Sequence, residues 1–214
     1  MRTPKRLIFA VAGLMVAAGT ALSAAAGPAG AAEAVTTAPA SAVSLAFTPC
    51  RIICPAGHVT NFGSGKCIEP VPGPDGNYAV NGLGIEQFTC QPSPSLIPLW
   101  SIIPVADVHV SPFATRTAYH IVNWQSRQCL DDRDGRTSDR SPVQQWTCGN
   151  STTMLWVLGD SLGGARQLMN LRALQNGGSA CLDVANGSGS DGAVLQLYHC
   201  TAQNTAQHFF VPGH

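Results

Sequence analysis

Charge is scarce in this sequence: 11 % of its 214 residues are charged, and 12 Lys and Arg balance 12 Asp and Glu. A protein that grips nucleic acid by its phosphates needs a basic face, and this composition supplies none. Aromatic residues are also few, at 7 %. Past the N-terminus no run is apolar and long enough to span a bilayer, and no long stretch has helical periodicity. Motifs that carry chemistry are missing as well. There is no Gly-x-Ser-x-Gly elbow, phosphate loop or His-Glu-x-x-His. Cysteines lack Cys-x2-Cys spacing, and the 6 His residues are scattered without ligand spacing. These absences argue against an enzyme and against a cofactor or metal.

The N-terminus has the grammar of an export signal. Met1–Arg6 is basic, Leu7–Val16 is a short apolar core, and small residues follow through Ala32. The alternative is a membrane anchor, for which the core is short and diluted by Gly and Ala. We therefore expect residues 1–32 to be a signal peptide and the mature protein to be secreted, without a membrane anchor. Loss of Arg2, Lys5 and Arg6 would leave it mildly acidic. Residues 33–48, rich in Ala, Ser and Thr, read as a flexible lead-in, and 49–214 as the folded domain.

All 8 cysteines follow the signal, which favours disulfides. Six of them mark an internal repeat. VTNFGSGKCIEP, IVNWQSRQCLDD and ALQNGGSACLDV align on Cys67, Cys129 and Cys181. Each is followed by a second matching segment: GIEQFTC to Cys90, PVQQWTC to Cys148 and VLQLYHC to Cys200. The segments alternate apolar and polar residues as half-buried strands do. Between them stand Asn81-Gly82, Asp139-Arg140 and Asp191-Gly192, at places where tight hairpins need positive φ. Bonds Cys67–Cys90, Cys129–Cys148 and Cys181–Cys200 would each close one repeat, contributing on the order of 3 kcal/mol. Cys50 and Cys54 are left to pair with each other or stay free.

Cys129-Leu130-Asp131 with Gln144-Gln145-Trp146-Thr147-Cys148, and Cys181-Leu182-Asp183 with Gln196-Leu197-Tyr198-His199-Cys200, resemble the ricin B-type lectins. The resemblance runs over roughly Val59–Pro212. It implies an all-β fold, a β-trefoil of three pseudo-symmetric, disulfide-stapled repeats with shallow sugar sites. The family's Q-x-W core position reads Pro98-Leu99-Trp100, Met154-Leu155-Trp156 and Gln207-His208-Phe209, so the aromatic is kept and the Gln only once. The first repeat carries insertions, among them Gln91–Pro98. Residues 101–119 are long for a connection and suit an added strand.

A neutral polyol gives up water only for equally good partners. A carboxylate accepts from neighbouring hydroxyls, an amide both donates and accepts, and an aromatic face covers the sugar's C–H side. By resemblance the third repeat supplies Asp183, Gln196, Tyr198 and Gln207, with Ala206 where the family has Asn. The second supplies Asp131, Gln144 and Trp146, with Thr153 and Met154 in place of Asn and Gln. Glu69, Glu86 and Phe88 of the first repeat look degenerate. Simpler roles compete: Asp131 and Asp183 as turn caps, and Trp146 and Tyr198 as core aromatics. Asp131–Gly135 reads as a solvated acidic turn, since its spacing misses the calcium-loop register. Asn150 and Asn186 fit the N-glycosylation pattern. Glu69, Glu86, Asp131 and Asp183 would lie too far apart in a trefoil for glycosidase chemistry. The expectation is a secreted glycan-binding protein. The alternative is a trefoil scaffold that binds a protein partner or inhibits an enzyme through its loops.

Overall fold

A computed structural model describes residues 56–92, 94–111 and 114–214. The expected signal peptide, the lead-in, Cys50 and Cys54 lie outside the described residues. In chain order the strands are β1 (Ala56–His58), β2 (Thr60–Asn61), β3 (Cys67–Pro70), β4 (Ile85–Phe88) and β5 (Leu99–Ser111). Then come β6 (Ala114–Asn123), β7 (Gln128–Asp132), β8 (Ser141–Thr147) and β9 (Trp156–Leu162). The last are β10 (Ala165–Asn170), β11 (Ala180–Val184), β12 (Ala193–His199) and β13 (His208–Phe210). One short helix, α1 (Leu171–Gln175), is capped by the Asn170 side chain, which accepts from the Ala173 N–H. The strands join one 13-stranded antiparallel network.

Three hairpins repeat one pairing. In β3/β4 Cys67 faces Phe88, and Glu69 faces Glu86. In β7/β8 Cys129 faces Trp146, and Asp131 faces Gln144. In β11/β12 Cys181 faces Tyr198, and Asp183 faces Gln196. Each hairpin is clipped by the expected disulfide: Cys67–Cys90, Cys129–Cys148 and Cys181–Cys200. The first strand of each hairpin runs into a tight turn whose middle residue has positive φ: Asp75 at 57°, Asp134 at 62° and Asn186 at 58°. Asp and Asn tolerate that left-handed backbone better than most side chains.

The hairpins also lock onto one another in a closed order. Asn81 Oδ1 accepts from the Thr147 N–H, Asp139 Oδ1 from that of His199, and Asp191 Oδ1 from that of Thr89. The turn residue before each hairpin's second strand thus binds the next hairpin, and the third returns to the first. The following N–H does the same: Gly82 donates to Gln145, Arg140 to Leu197 and Gly192 to Gln87. Gly82, Arg140 and Gly192 all take positive φ, including the one non-glycine among them.

Trp100, Trp156 and Phe209 sit fully buried in one apolar cluster with Ile68, Leu130 and Leu182. Trp100 Nε1 donates to the Ile68 carbonyl at 2.9 Å, and Trp156 Nε1 to that of Leu130 at 3.0 Å. The Phe209 ring has no N–H to offer, so this third side chain is held by packing. The aromatic of the Q-x-W position is a core residue, as expected. The stretch 101–119 does more than add a strand: β5 and β6 form a long hairpin that packs Val105, Val108, Val110 and Ala118 with Leu155, Val157 and Leu171.

Candidate functional site

Two clefts open beside the second and third hairpins. The third-hairpin cleft holds about 210 Å³ and is lined by Asp183, Gln196, Tyr198, Ala206, Asn204 and Arg140, among others. Asp183 and Gln196 face each other across β11 and β12, so their side chains leave the same face of the sheet. Gln196 Nε2 donates to Asp183 Oδ1 at 2.8 Å. Burial raises the Asp183 pKa above the usual carboxylate range, and the Gln196 and Gln207 amides pull it back down. The amides therefore favour the anion that hydroxyl donors need.

Gln207 itself is wholly buried. Its Oε1 accepts from the Thr201 N–H at 2.8 Å, and its Nε2 donates to the His199 carbonyl at 3.0 Å. The expected supporting amide is thus a brace beneath the site, with no free face for a ligand. The Q-x-W register puts it two residues before a core aromatic, so it turns to the same inward side.

The second cleft is wider, about 570 Å³, and is lined by Asp131, Asp132, Asp134, Arg133, Gln144 and Trp146, among others. Gln144 Nε2 donates to Asp131 Oδ2 at 2.7 Å, repeating the Asp183–Gln196 bond in the same register. Gln144 Oε1 accepts from Arg133 Nε at 2.9 Å, so this amide orients both neighbours with one donor and one acceptor bond. Burial raises the Asp131 pKa, while hydrogen bonds from Gln144 and Thr153 lower it. Trp146 is 41 % exposed, which makes it a wall of the cleft and excludes the core role. Tyr198 is half-buried and lines its own cleft.

Neither Asp131 nor Asp183 caps a turn; both lie inside strands and are buried. The reading of Asp131–Gly135 as a solvated turn is corrected for its first two members. Asp131 is 4 % and Asp132 1 % exposed, because β7 carries them beneath the loop that follows.

At the first hairpin the equivalent pair is Glu69 and Glu86. Burial, then the charges of Glu86 and Asp191, push the Glu69 pKa up to about 7. No amide stands opposite Glu69 to hold it ionised. One trio, His58, Cys67 and Cys90, brings ligand-type atoms within 4.8 Å. Both sulfurs are spent in the Cys67–Cys90 bond, so no thiolate is available to a metal there.

Several lining residues had no clear mark in the sequence. Arg140 belongs to the turn that precedes the second hairpin's closing strand, yet lines the third cleft. Gly82 reaches the second cleft from the first repeat in the same way. The alignment of the turns at Asn81, Asp139 and Asp191 is the signal that could have placed them.

Residues 99–198 match a family model described as ricin-type beta-trefoil lectin domain-like. Among solved structures the chain is similar to a designed 3-fold symmetric protein, ThreeFoil, at 22 % identity and a TM-score of 0.59, over 72 % of this chain and 95 % of that one. It is similar to the exo-beta-1,3-galactanase 1,3Gal43A from Clostridium thermocellum, at 24 % identity and a TM-score of 0.57, over 71 % of this chain and 28 % of the galactanase. It is similar to the Polyporus squamosus lectin, bound there to a human-type influenza-binding epitope, at 12 % identity and a TM-score of 0.54, over 72 % of this chain and 47 % of the lectin. At these identities the likeness is one of fold. Comparison with curated protein sequences finds no match. Residues 99–198 are thus similar to a ricin-type beta-trefoil lectin domain, and the described residues form an all-β fold like that of trefoil proteins.

Proposed function

We propose that this is a secreted, non-catalytic glycan-binding protein, a three-fold pseudo-symmetric β-trefoil whose second and third clefts hold sugar. The carrying observation is the repeated constellation: a buried Asp held by a Gln from the facing strand, beside an accessible aromatic, at Asp131–Gln144–Trp146 and Asp183–Gln196–Tyr198. The Asp accepts from vicinal hydroxyls, and the ring covers the apolar face of the pyranose. The lectin-like family match and the lectin among the fold neighbours support the class of ligand. Export is supported by the N-terminal pattern and by three disulfides, which persist in oxidising compartments.

Each cleft is shallow, so a single site is expected to bind in the millimolar range, roughly −4 kcal/mol. Two sites on one polysaccharide surface add avidity. The test is an immobilised-glycan panel probed with the mature protein and with a D131A/D183A double variant. Retention on at least one glycan is expected for the parent and should vanish in the variant, with circular dichroism and thermal midpoint checked for an intact fold. A folded double variant that is still retained would overturn the assignment.

A further inference from the structure

One turn position comes before the second strand of each hairpin: Gly82, Arg140 and Gly192. All three take positive φ, at 87°, 66° and 77°. Glycine adopts that backbone freely, whereas a long side chain there costs free energy. Each of the three donates its N–H to the next hairpin, so the clasp itself does not need an arginine. An arginine held in left-handed backbone, where glycine serves at both equivalent places, calls for a role of its own.

The direction of the side chain supplies one. A Cβ at Gly82 would stand 3.7 Å from the Trp146 ring and 3.9 Å from Gln144 Oε1, and one at Gly192 would stand 3.7 Å from Glu86 Oε2. The position therefore aims at the second strand of the next hairpin, where the cleft-facing residues lie. Arg140 accordingly lines the third cleft with Gln196 and Tyr198. In the second cleft Gly82 leaves that place empty. The third cleft is the narrower of the two, about 210 Å³ against about 570 Å³.

The guanidinium is not spent inside the protein. Among the described residues the exposed Arg140 side chain makes no hydrogen bond and no ion pair. Its neighbour Asp139 is committed to His199: Oδ1 accepts from the His199 N–H at 2.6 Å, and Oδ2 lies 2.9 Å from Nδ1. Asp183 is held by the Gln196 amide. Arg133 in the second cleft is the contrast, with Nε on Gln144 and a terminal nitrogen on the Gly82 carbonyl. A guanidinium carries only donors, in a fixed fork, and a carboxylate only acceptors. A neutral sugar unit needs both, because its oxygens seek donors and its hydroxyl protons seek acceptors. The walls of the third cleft supply one of each.

We propose that Arg140 is a ligand-contacting residue that sets the third cleft apart from the second. It donates to oxygens of the sugar unit held by Asp183 and Tyr198 and narrows the cleft around that unit. The inference rests on the glycan-binding reading and goes beyond it by naming a wall that the second cleft lacks.

The experiment is frontal affinity chromatography on resins bearing galactose, N-acetylgalactosamine, xylan and mannan. The proteins are the parent, D131A, which leaves the third cleft alone, and D183A, which leaves the second. Each single-cleft protein is run with and without R140G. D131A should be retained on at least one resin, and R140G should weaken that retention about fivefold or more. The thermal midpoint of R140G should be unchanged or higher, since glycine relieves the positive φ. R140N, which tolerates the same backbone, should behave alike should the glycine loosen the turn. In D183A the same change should leave retention within about twofold, because Gly82 holds the matching place in that cleft. Undiminished retention of D131A carrying R140G or R140N overturns the proposal, as does an equal loss in D183A. Retention of the parent that disappears in D131A removes the third cleft as a site and this inference with it, while the glycan-binding reading survives at the second. If the parent is retained on none of the resins, both fail together.

Discussion

The first and third hairpins place a carboxylate at the same register position and surround it differently. Asp183 faces Gln196, whose amide donates to it at 2.8 Å. Glu69 faces Glu86, and its pKa is pushed up to about 7. Burial is the first cause of the rise at both positions. The amide opposite then decides whether the carboxylate can serve as an anion at neutral pH. A Gln-to-Glu exchange, close to isosteric, turns an amide-held carboxylate into a strained acid pair. The second hairpin follows the third at Asp131 and Gln144.

The pH dependence of stability is the broadest test of this contrast. Glu69 and Asp132 both carry folded pKa values raised to about 7, from ordinary values of 4.5 and 3.8. The folded state therefore holds these protons more tightly than the unfolded chain. Their contribution is most favourable below the unfolded pKa values and is lost as pH climbs through about 7. Urea titrations at intervals from pH 4 to pH 8 should show these groups withdrawing up to about 3 kcal/mol each, against the gain from ordinary paired acids. A stability that rises throughout that range would mean neither group is perturbed as described.

Making the good hairpins resemble the poor one comes next in size. Q144E and Q196E should each lower stability by about 2 kcal/mol at pH 8, with most of it recovered at pH 5. Glycan retention should fall at least tenfold for the double variant. The converse change, E86Q, should flatten the pH profile by roughly 1 kcal/mol, because it removes the like charge and leaves the burial. Matching losses at both pH values in Q144E would point to packing as the cause.

An effect of similar size to that of E86Q concerns the core aromatics. W156F makes the second position like Phe209 and leaves the Leu130 carbonyl without its indole donor. Chemical denaturation should register a loss of about 1–2 kcal/mol from the buried, unmet acceptor and the smaller ring. No change would mean that the carbonyl finds another donor.

Much of this arrangement was legible along the chain. Cysteine positions fall at equal places in three aligned segments, so the three disulfides follow from the repeat. Asp183 and Gln196 were brought together by the family resemblance, and the register of β11 and β12 puts them on one face. The aromatic at Trp100, Trp156 and Phe209 read as core and is core. Gln207 did not read as buried, since nothing local distinguishes an amide that meets a ligand from one that meets backbone at Thr201 and His199.

The sequence by itself determined the repeated strands and their staples, because alternation, turn residues and cysteine spacing act over short stretches of chain. Tertiary structure alone decided which carboxylates keep a donor. Asp132 and Val184 hold the same place in the repeat, but one is a buried carboxylate with Arg172 nearby and the other fills a core. Arg140 reached the third cleft, and Gly82 the second, only through contacts made across repeats. Desolvation and charge proximity depend on distance in space, which the order of residues does not state.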